Sequence, residues 1–184
     1  MTDGRHVCAG LSPVTHCCMS RPERAAEPLV TLRCPRFSAS FETAVKADPK
    51  FTYLNVQYSH NDPATAANLM GSALQKDSDI VGVFAANLFS AEGTATGVRQ
   101  ANKGSQVKVV SFDAGPNQVK ALKEGTVQAL VAQQPELIGQ YGVDMVVAAL
   151  DGGTVTPKVQ TGFTIITKDN VDGDGAKAIY KSTC

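Results

Sequence analysis

The chain has 184 residues, the size of one ordinary domain or of one large lobe in a two-lobed protein. Its 17 Lys and Arg residues balance 17 Asp and Glu residues, so it carries no excess positive charge to attract nucleic acid or an anionic membrane. No apolar run reaches the roughly 18 residues that a membrane-spanning helix needs. The composition therefore predicts a globular protein with no nucleic-acid partner and no membrane insertion.

The first 36 residues differ from the rest of the chain. They hold Cys8, Cys17, Cys18 and Cys34, and the remaining cysteine is the last residue, Cys184. They also hold Pro13, Pro22, Pro28 and Pro35, and they show neither helical nor strand periodicity. We therefore expect residues 1–36 to be an irregular leader in front of a regular domain over residues 37–184. Because residues 1–10 lack the basic-then-apolar layout of a secretory signal, the chain as written is expected to stay in the cytoplasm.

Beyond residue 36 helical and strand patterns alternate. Helices are predicted at 38–47, 63–75, 90–102, 116–123 and 135–150, with a short one at 176–181, and strands at 51–57, 80–84, 107–112, 127–132 and 163–167. Asp62 and Pro63 suit the start of the second helix, and Gly125 and Gly152 suit helix ends. Alternating strands and helices predict an α/β fold: a doubly wound parallel sheet with helices on both faces.

Amide or carboxylate side chains follow four successive strands of this sheet, namely Asn61, Asn87, Asp113 and Gln133. Ligands of open parallel sheets bind outside the carboxyl ends of the strands, so we expect these four residues to share one edge. An ionised Asp only accepts hydrogen bonds, so Asp113 could accept two from adjacent hydroxyls, while the amides both donate and accept. This set predicts a binding site for a small sugar or another polyol.

A purely structural explanation competes with this interpretation. Asp62 and Asp113 each precede a helix that starts with proline, so either could be a cap or turn residue. For any one of the four residues alone, structure is the simpler explanation, and it is their joint position that indicates a site.

Three segments carry a resemblance to a known family: GVFAAN at 82–87, VSFD at 110–113 and VAQQP at 131–135. In order and spacing they resemble the ribose-binding-protein-like type I periplasmic binding proteins, from about residue 41 to the carboxyl end. The resemblance implies the carboxy-terminal lobe of the substrate-binding component of a sugar ABC importer, with permease subunits as partners and a periplasmic location. It also implies that Asn87 and Asp113 contact sugar hydroxyls and that Gln133 does so from the hinge. Asn61 falls where some members place an aromatic residue that covers the sugar.

The resemblance weakens toward the amino terminus. The family pattern has an Arg four residues before a Phe, but Phe37 takes that place before Phe41, Arg36 is one position off, and Ser40 replaces a usual Gly. We therefore expect a truncated or frame-shifted product in which residues 1–36 are not native family sequence, with hinge crossings near residues 133 and 160. The helix at 135–150 would belong to the missing lobe, so its apolar residues would lack their partner (Leu137, Val143, Val146, Val147 and Leu150). Such a chain is expected to bind sugar weakly or not at all by itself.

Other motifs do not support catalysis or metal binding. The histidines and cysteines near the start, His6, Cys8, His16, Cys17, Cys18 and Cys34, fit no paired zinc spacing. Residues 170–175 begin like a calcium loop, but Lys181 replaces the required Glu. His60 has no nucleophile or second carboxylate paired with it, and Gly93 and Gly97 suggest close helix packing rather than a phosphate loop. We predict no catalytic residue, no metal and no cofactor.

Two alternatives share the fold. A ligand-sensing domain of a LacI-like transcription regulator would need a helix-turn-helix ahead of it, and residues 1–36 show no apolar helical period. An enzyme would need a nucleophile elbow or a phosphate loop, and the sequence contains neither. The sequence does not identify the sugar, the oligomeric state or the role of the cysteines.

Overall fold

A computed structural model describes residues 5–9, 15–17 and 35–180, with side chains from residue 40 to residue 180. Strand β1 (Arg5–Ala9) and strand β2 (Thr15–Cys17) lie in the segment that was expected to be irregular, so that expectation is wrong for these residues. The residues of β1, RHVCA, do not alternate between apolar and polar, and its neighbours in the sheet define it as a strand. The described part does not include Cys18, Cys34, Lys181, Cys184 or the side chains of Arg36 and Phe37.

The remaining elements follow the predicted order. The helices are α1 (Pro35–Lys46), α2 (Pro63–Lys76), α3 (Leu88–Gln100), α4 (Pro116–Glu124) and α5 (Pro135–Leu150), followed by a short 3₁₀ helix (Asp174–Ala178). The strands are β3 (Phe51–Tyr53), β4 (Val56–Tyr58), β5 (Ile80–Ala85), β6 (Lys108–Phe112), β7 (Ala129–Gln133) and β8 (Phe163–Thr167). The strand predicted at 51–57 is two strands, because Asn55 between them has a left-handed backbone with a φ of 80°.

Six strands form one sheet in the order β3-β1-β5-β6-β7-β8, and β2 pairs with β4 in a separate ribbon. Strand β3 lies on one side of β1 in the sheet, and β5, β6 and β7 follow in order on the other side. Since crossovers are right-handed, α1 lies on one face of the sheet and α2, α3 and α4 lie on the other. The predicted α/β class with helices on both faces is confirmed, and the strand order reverses at β1.

Strand β8 departs from the parallel prediction, because it runs antiparallel to β7, with Ala129 opposite Thr167. A parallel return would need a helix packed on the sheet between the two strands. The helix between them is α5, which buries none of its residues, so it does not pack there as a crossover helix. The chain therefore leaves and re-enters the sheet at the same end.

The core lies between the sheet and the layer of α2, α3 and α4. Its largest fully buried side chains include Met70, Ile80, Leu122, Leu130 and Ile166. Helices α2 and α3 approach closely: a Cβ at Gly93 would lie 2.3 Å from both Ala66 Cβ and the Pro63 carbonyl oxygen, and a Cβ at Gly97 would lie 2.7 Å from the Ala67 carbonyl oxygen. The two glycines thus serve close helix packing, as predicted.

Helix α5 presents its apolar residues to solvent. Val143 is 63% exposed and Leu150 is 81% exposed, Val146 and Val147 are also exposed, and Leu137 is half-buried. The expectation that this helix lacks a partner therefore holds within the part of the chain that the structure describes. Among those residues, no helix is long and apolar enough to cross a membrane.

Candidate functional site

The carboxyl ends of β5, β6 and β7 bring three of the predicted residues to one edge of the sheet. Gln133 Nε2 donates to Asp113 Oδ1 at 2.8 Å. Asn87 Nδ2 donates to Asn61 Oδ1 at 3.0 Å, which adds the fourth residue from the loop before α2. Asp113 Oδ2 accepts from the backbone N–H of Leu88, the residue after Asn87, at 3.2 Å. The four residues predicted from the sequence thus form one linked cluster, named here the edge cluster.

The local backbone structure fixes the positions of Asn87 and Asn61 in the edge cluster. Asn87 is the N-cap of α3, and its Oδ1 accepts from the Ser90 N–H at 2.9 Å. Asn61 has a left-handed backbone with a φ of 62°, a conformation that asparagine tolerates better than most residues. Cap and turn geometry therefore place these two amides at the edge.

Asp62 and Asp113, the two aspartates considered as cap or turn residues, have different roles in the structure. Asp62 is the N-cap of α2 and accepts from the Thr65 N–H at 2.6 Å, and this hydrogen bonding to Thr65 lowers the pKa of its carboxyl. Asp113 does not cap α4, because the N-cap of that helix is Gly115. Asp113 has a φ of 73° and lies within the edge cluster instead. An N-cap role thus fits Asp62 and not Asp113, whose left-handed backbone instead fits a turn and whose Oδ2 accepts from the first N–H of α3.

Three donors from the protein already occupy the carboxylate of Asp113. Oδ1 accepts from Gln133 Nε2 and, at 3.2 Å, from the hydroxyl of Tyr180, while Oδ2 accepts from Leu88 N. A carboxylate has about four lone-pair positions, so among contacts with described residues one position remains, on Oδ2. The expected pair of hydroxyl contacts to Asp113 is thereby reduced to about one.

Tyr180 is a member of this network that the sequence analysis missed. The predicted helix at 176–181 would have contained it, but the 3₁₀ helix ends at Ala178 and Tyr180 lies beyond it. Its hydroxyl accepts from the Gln133 N–H at 3.0 Å, and its own N–H donates to the Ala114 carbonyl at 3.0 Å. Burial raises the pKa of the Tyr180 phenol to about 12, and the nearby Asp113 carboxylate adds to this. The phenol therefore keeps its proton at neutral pH and can donate to Asp113.

The amides of the edge cluster retain hydrogen-bonding capacity. Gln133 uses one of its two side-chain N–H groups for Asp113, and Asn87 uses one of its two for Asn61. Asn61 is exposed, and Asn87, Asp113 and Gln133 are half-buried. The cluster is thus an open surface that can both donate and accept hydrogen bonds, which is what a hydroxyl requires.

Gln134 links the two chain segments where hinge crossings were predicted. Its Oε1 accepts from the Gly162 N–H at 3.2 Å, so the start of α5 and the approach to β8 are held side by side. His60, which has no paired nucleophile or second carboxylate in the sequence, is exposed and has a left-handed backbone with a φ of 52°. None of the hydrogen bonds described for the edge cluster involves His60.

Residues 29–154 match the model of a family described as periplasmic binding protein domain. The match begins ahead of residue 36, where the domain boundary was predicted. It also ends within the segment that follows α5, so it covers the edge cluster and α5 together.

Curated relatives include proteins named for sugars. The chain is 35% identical over 128 residues to the ribose import binding protein of Haemophilus influenzae, covering 70% of this chain and 43% of the relative. It is 34% identical over 96 residues to the D-allose-binding periplasmic protein of Escherichia coli, covering 52% of this chain and 31% of the relative. The chain therefore spans less than half the length of these relatives.

Solved structures of ABC transporter solute binding proteins from Agrobacterium vitis share the fold. One with bound D-fucose has a TM-score of 0.72 and 30% identity, over 78% of this chain and 50% of that one. Another, bound with α-D-tagatopyranose, has a TM-score of 0.62 and 37% identity, over 68% of this chain and 43% of that one.

Proposed function

Because the chain belongs to the family of periplasmic binding protein domains, we propose that it is the carboxy-terminal lobe of the sugar-binding component of an ABC importer. The ligand is a monosaccharide or a similar polyol, held by hydrogen bonds to its hydroxyls. The observation that carries the proposal is the convergence of Asn87, Asp113 and Gln133 in the edge cluster. Asn61 joins them through its hydrogen bond to Asn87.

Hydroxyl groups suit the capacity of this cluster. A sugar hydroxyl both donates and accepts, so it can donate to the remaining lone pair of Asp113 Oδ2 and accept from an amide of Gln133 or Asn87. A hydrogen bond to a charged partner is worth about 1.5–3 kcal/mol, so Asp113 should dominate the affinity. A ligand without the matching hydroxyl would leave these groups unpaired and be rejected.

A second lobe completes the site in this proposal. The cluster is open, and the chain spans 43% of the length of the ribose import binding protein of Haemophilus influenzae. In two-lobed proteins hinge closure removes water from the ligand and strengthens each hydrogen bond. The paired segments at Gln134 and Gly162 are proposed as the hinge, and this chain alone is expected to bind sugar weakly.

The remaining roles follow from the same relatives. The protein would act without catalysis in the periplasm and would present its closed form to permease subunits of the importer. The curated relatives are named as binding proteins, and one of them is named as periplasmic.

Calorimetry with D-ribose, D-allose, D-fucose and D-tagatose tests the proposal. We expect weak binding of at least one of these sugars by the intact chain and a loss of about tenfold or more in affinity in Asp113→Ala. Asp79→Ala is the control, because Asp79 is an exposed aspartate just before β5, at the opposite end of that strand from Asn87. Equal affinity in Asp113→Ala and the parent chain would overturn the proposal.

A further inference from the structure

Tyr180 connects the carboxy-terminal segment to the edge cluster at three points. Its backbone N–H donates to Ala114, and its hydroxyl accepts from the Gln133 N–H and donates to Asp113 Oδ1. The residues before it, Ala178 and Ile179, pack against the main core, so the ring is delivered from a fixed segment. One phenol thus contacts both the backbone of Gln133 and the carboxylate of Asp113.

We infer that Tyr180 is a positioning residue that limits Asp113 to a single ligand hydroxyl. The inference rests on the proposed function and adds a determinant of specificity to it. Tyr180 and Gln133 together fill both lone pairs of Oδ1, so that oxygen cannot accept from a ligand. They also prevent the carboxylate from turning, which leaves one acceptor position on Oδ2 in a constant direction.

Removing the hydroxyl should change which sugars bind. In Tyr180→Phe, Oδ1 regains a lone pair and the Gln133 N–H loses its acceptor. The carboxylate can then turn and accept from a hydroxyl at a second position, so a sugar that lacks one hydroxyl is penalised less. We expect the ratio of affinities for a sugar and its monodeoxy analogue to fall by about threefold to tenfold, the range that one hydrogen bond supplies.

The first measurement needs no sugar. Hydrogen exchange of the Gln133 backbone amide should be faster in Tyr180→Phe than in the parent chain, because that amide donates to the Tyr180 hydroxyl. Tyr141→Phe is the control, since Tyr141 lies on α5, which buries none of its residues. Unchanged exchange at Gln133 would overturn the role of Tyr180, whatever sugar binds.

The second measurement titrates both variants with the tightest-binding sugar of the panel and with its monodeoxy analogues. A lower affinity ratio in Tyr180→Phe, with Tyr141→Phe unchanged, supports the inference. An unchanged ratio with a uniform loss of affinity assigns Tyr180 a merely structural role and overturns it. If no sugar binds to the parent chain while Gln133 exchange responds to the variant, the proposed function fails, and the inference about specificity fails with it.

A third variant guards against loss of folding in Tyr180→Phe. Asp113→Asn keeps the shape of the side chain but removes its charge from beside the phenol. Tyr180 should then form its phenolate at lower pH than in the parent chain, as followed by phenolate absorbance. An unchanged titration would show that Asp113 and Tyr180 do not interact in solution and would overturn the inference.

Discussion

Helices α3 and α5 show opposite relations between composition and burial. Helix α3 is made largely of small residues, yet it buries Ser90, Ala91, Gly93, Thr94, Ala95, Gly97 and Val98. Helix α5 is richer in valine, leucine, isoleucine and methionine, yet it buries none of its residues. The difference shows that apolar character alone does not bury a helix. Helix α3 is buried because its small residues let α2 approach, whereas nothing in the described chain covers α5.

The largest effect is expected between two leucines, one buried on α4, in the same helix layer as α3, and one exposed on α5. Leu122→Ala on α4 removes a side chain that is 1% exposed, so it should lower the free energy of unfolding by about 2–5 kcal/mol through loss of burial and a residual cavity. Leu150→Ala on α5 should change it by less than about 0.5 kcal/mol, because exposed side chains contribute little. Urea denaturation of the two variants checks this. A large loss in Leu150→Ala would mean that α5 is covered in solution.

The next effect concerns the close approach of α2 and α3. Gly93→Ala places a methyl group 2.3 Å from the Pro63 carbonyl oxygen, so we expect a loss of about 1–3 kcal/mol in the free energy of unfolding as the helices move apart. Gly71→Ala on α2 is the matched control, since apart from the two chain neighbours and the backbone of α2 itself no described atom would lie within 4 Å of its Cβ. Alanine favours helix over glycine by about 1 kcal/mol, so this control should be neutral or stabilising. If the denaturation midpoint of Gly93→Ala were as high as that of Gly71→Ala, the close packing of α2 and α3 would be refuted.

A smaller effect appears at alkaline pH. The pKa of Tyr180 is raised from 10.0 to about 12, mainly by burial, so the folded protein holds this proton more tightly than the unfolded chain does. Its contribution to stability is therefore complete below pH 10 and is lost as the pH rises toward 12. Over this range the urea midpoint of the parent chain should fall more than that of Tyr180→Phe. Parallel pH profiles of the two proteins would contradict this account of the half-buried phenol.

Part of this architecture could be predicted because its signals are local. The bounds of α5 and β8 agree with the pattern of apolar residues. Asp62 begins α2 and Gly125 ends α4, as their residue types predict. The edge cluster could also be predicted, since a doubly wound sheet brings the residues that follow its strands to one edge.

Other features depend on contacts between distant parts of the chain. Strand β1 is defined by its neighbours β3 and β5 rather than by a period of its own. The reversed direction of β8 depends on α5 not packing on the sheet, which periodicity does not encode. Tyr180 meets Asp113 across 67 residues, and nothing local to Tyr180 indicates that contact.

Nuclear magnetic resonance can observe directly whether the edge cluster contacts sugar hydroxyls, as proposed. In a sugar titration of the isotope-labelled chain, the side-chain amide signals of Gln133 and Asn87 should shift together and saturate with one dissociation constant. Asn117, at the start of α4, donates its side-chain amide to Glu92 on α3, and the signal of this amide should not shift. Shifts confined to residues away from the edge cluster, or no shift with any sugar of the panel, would contradict the account.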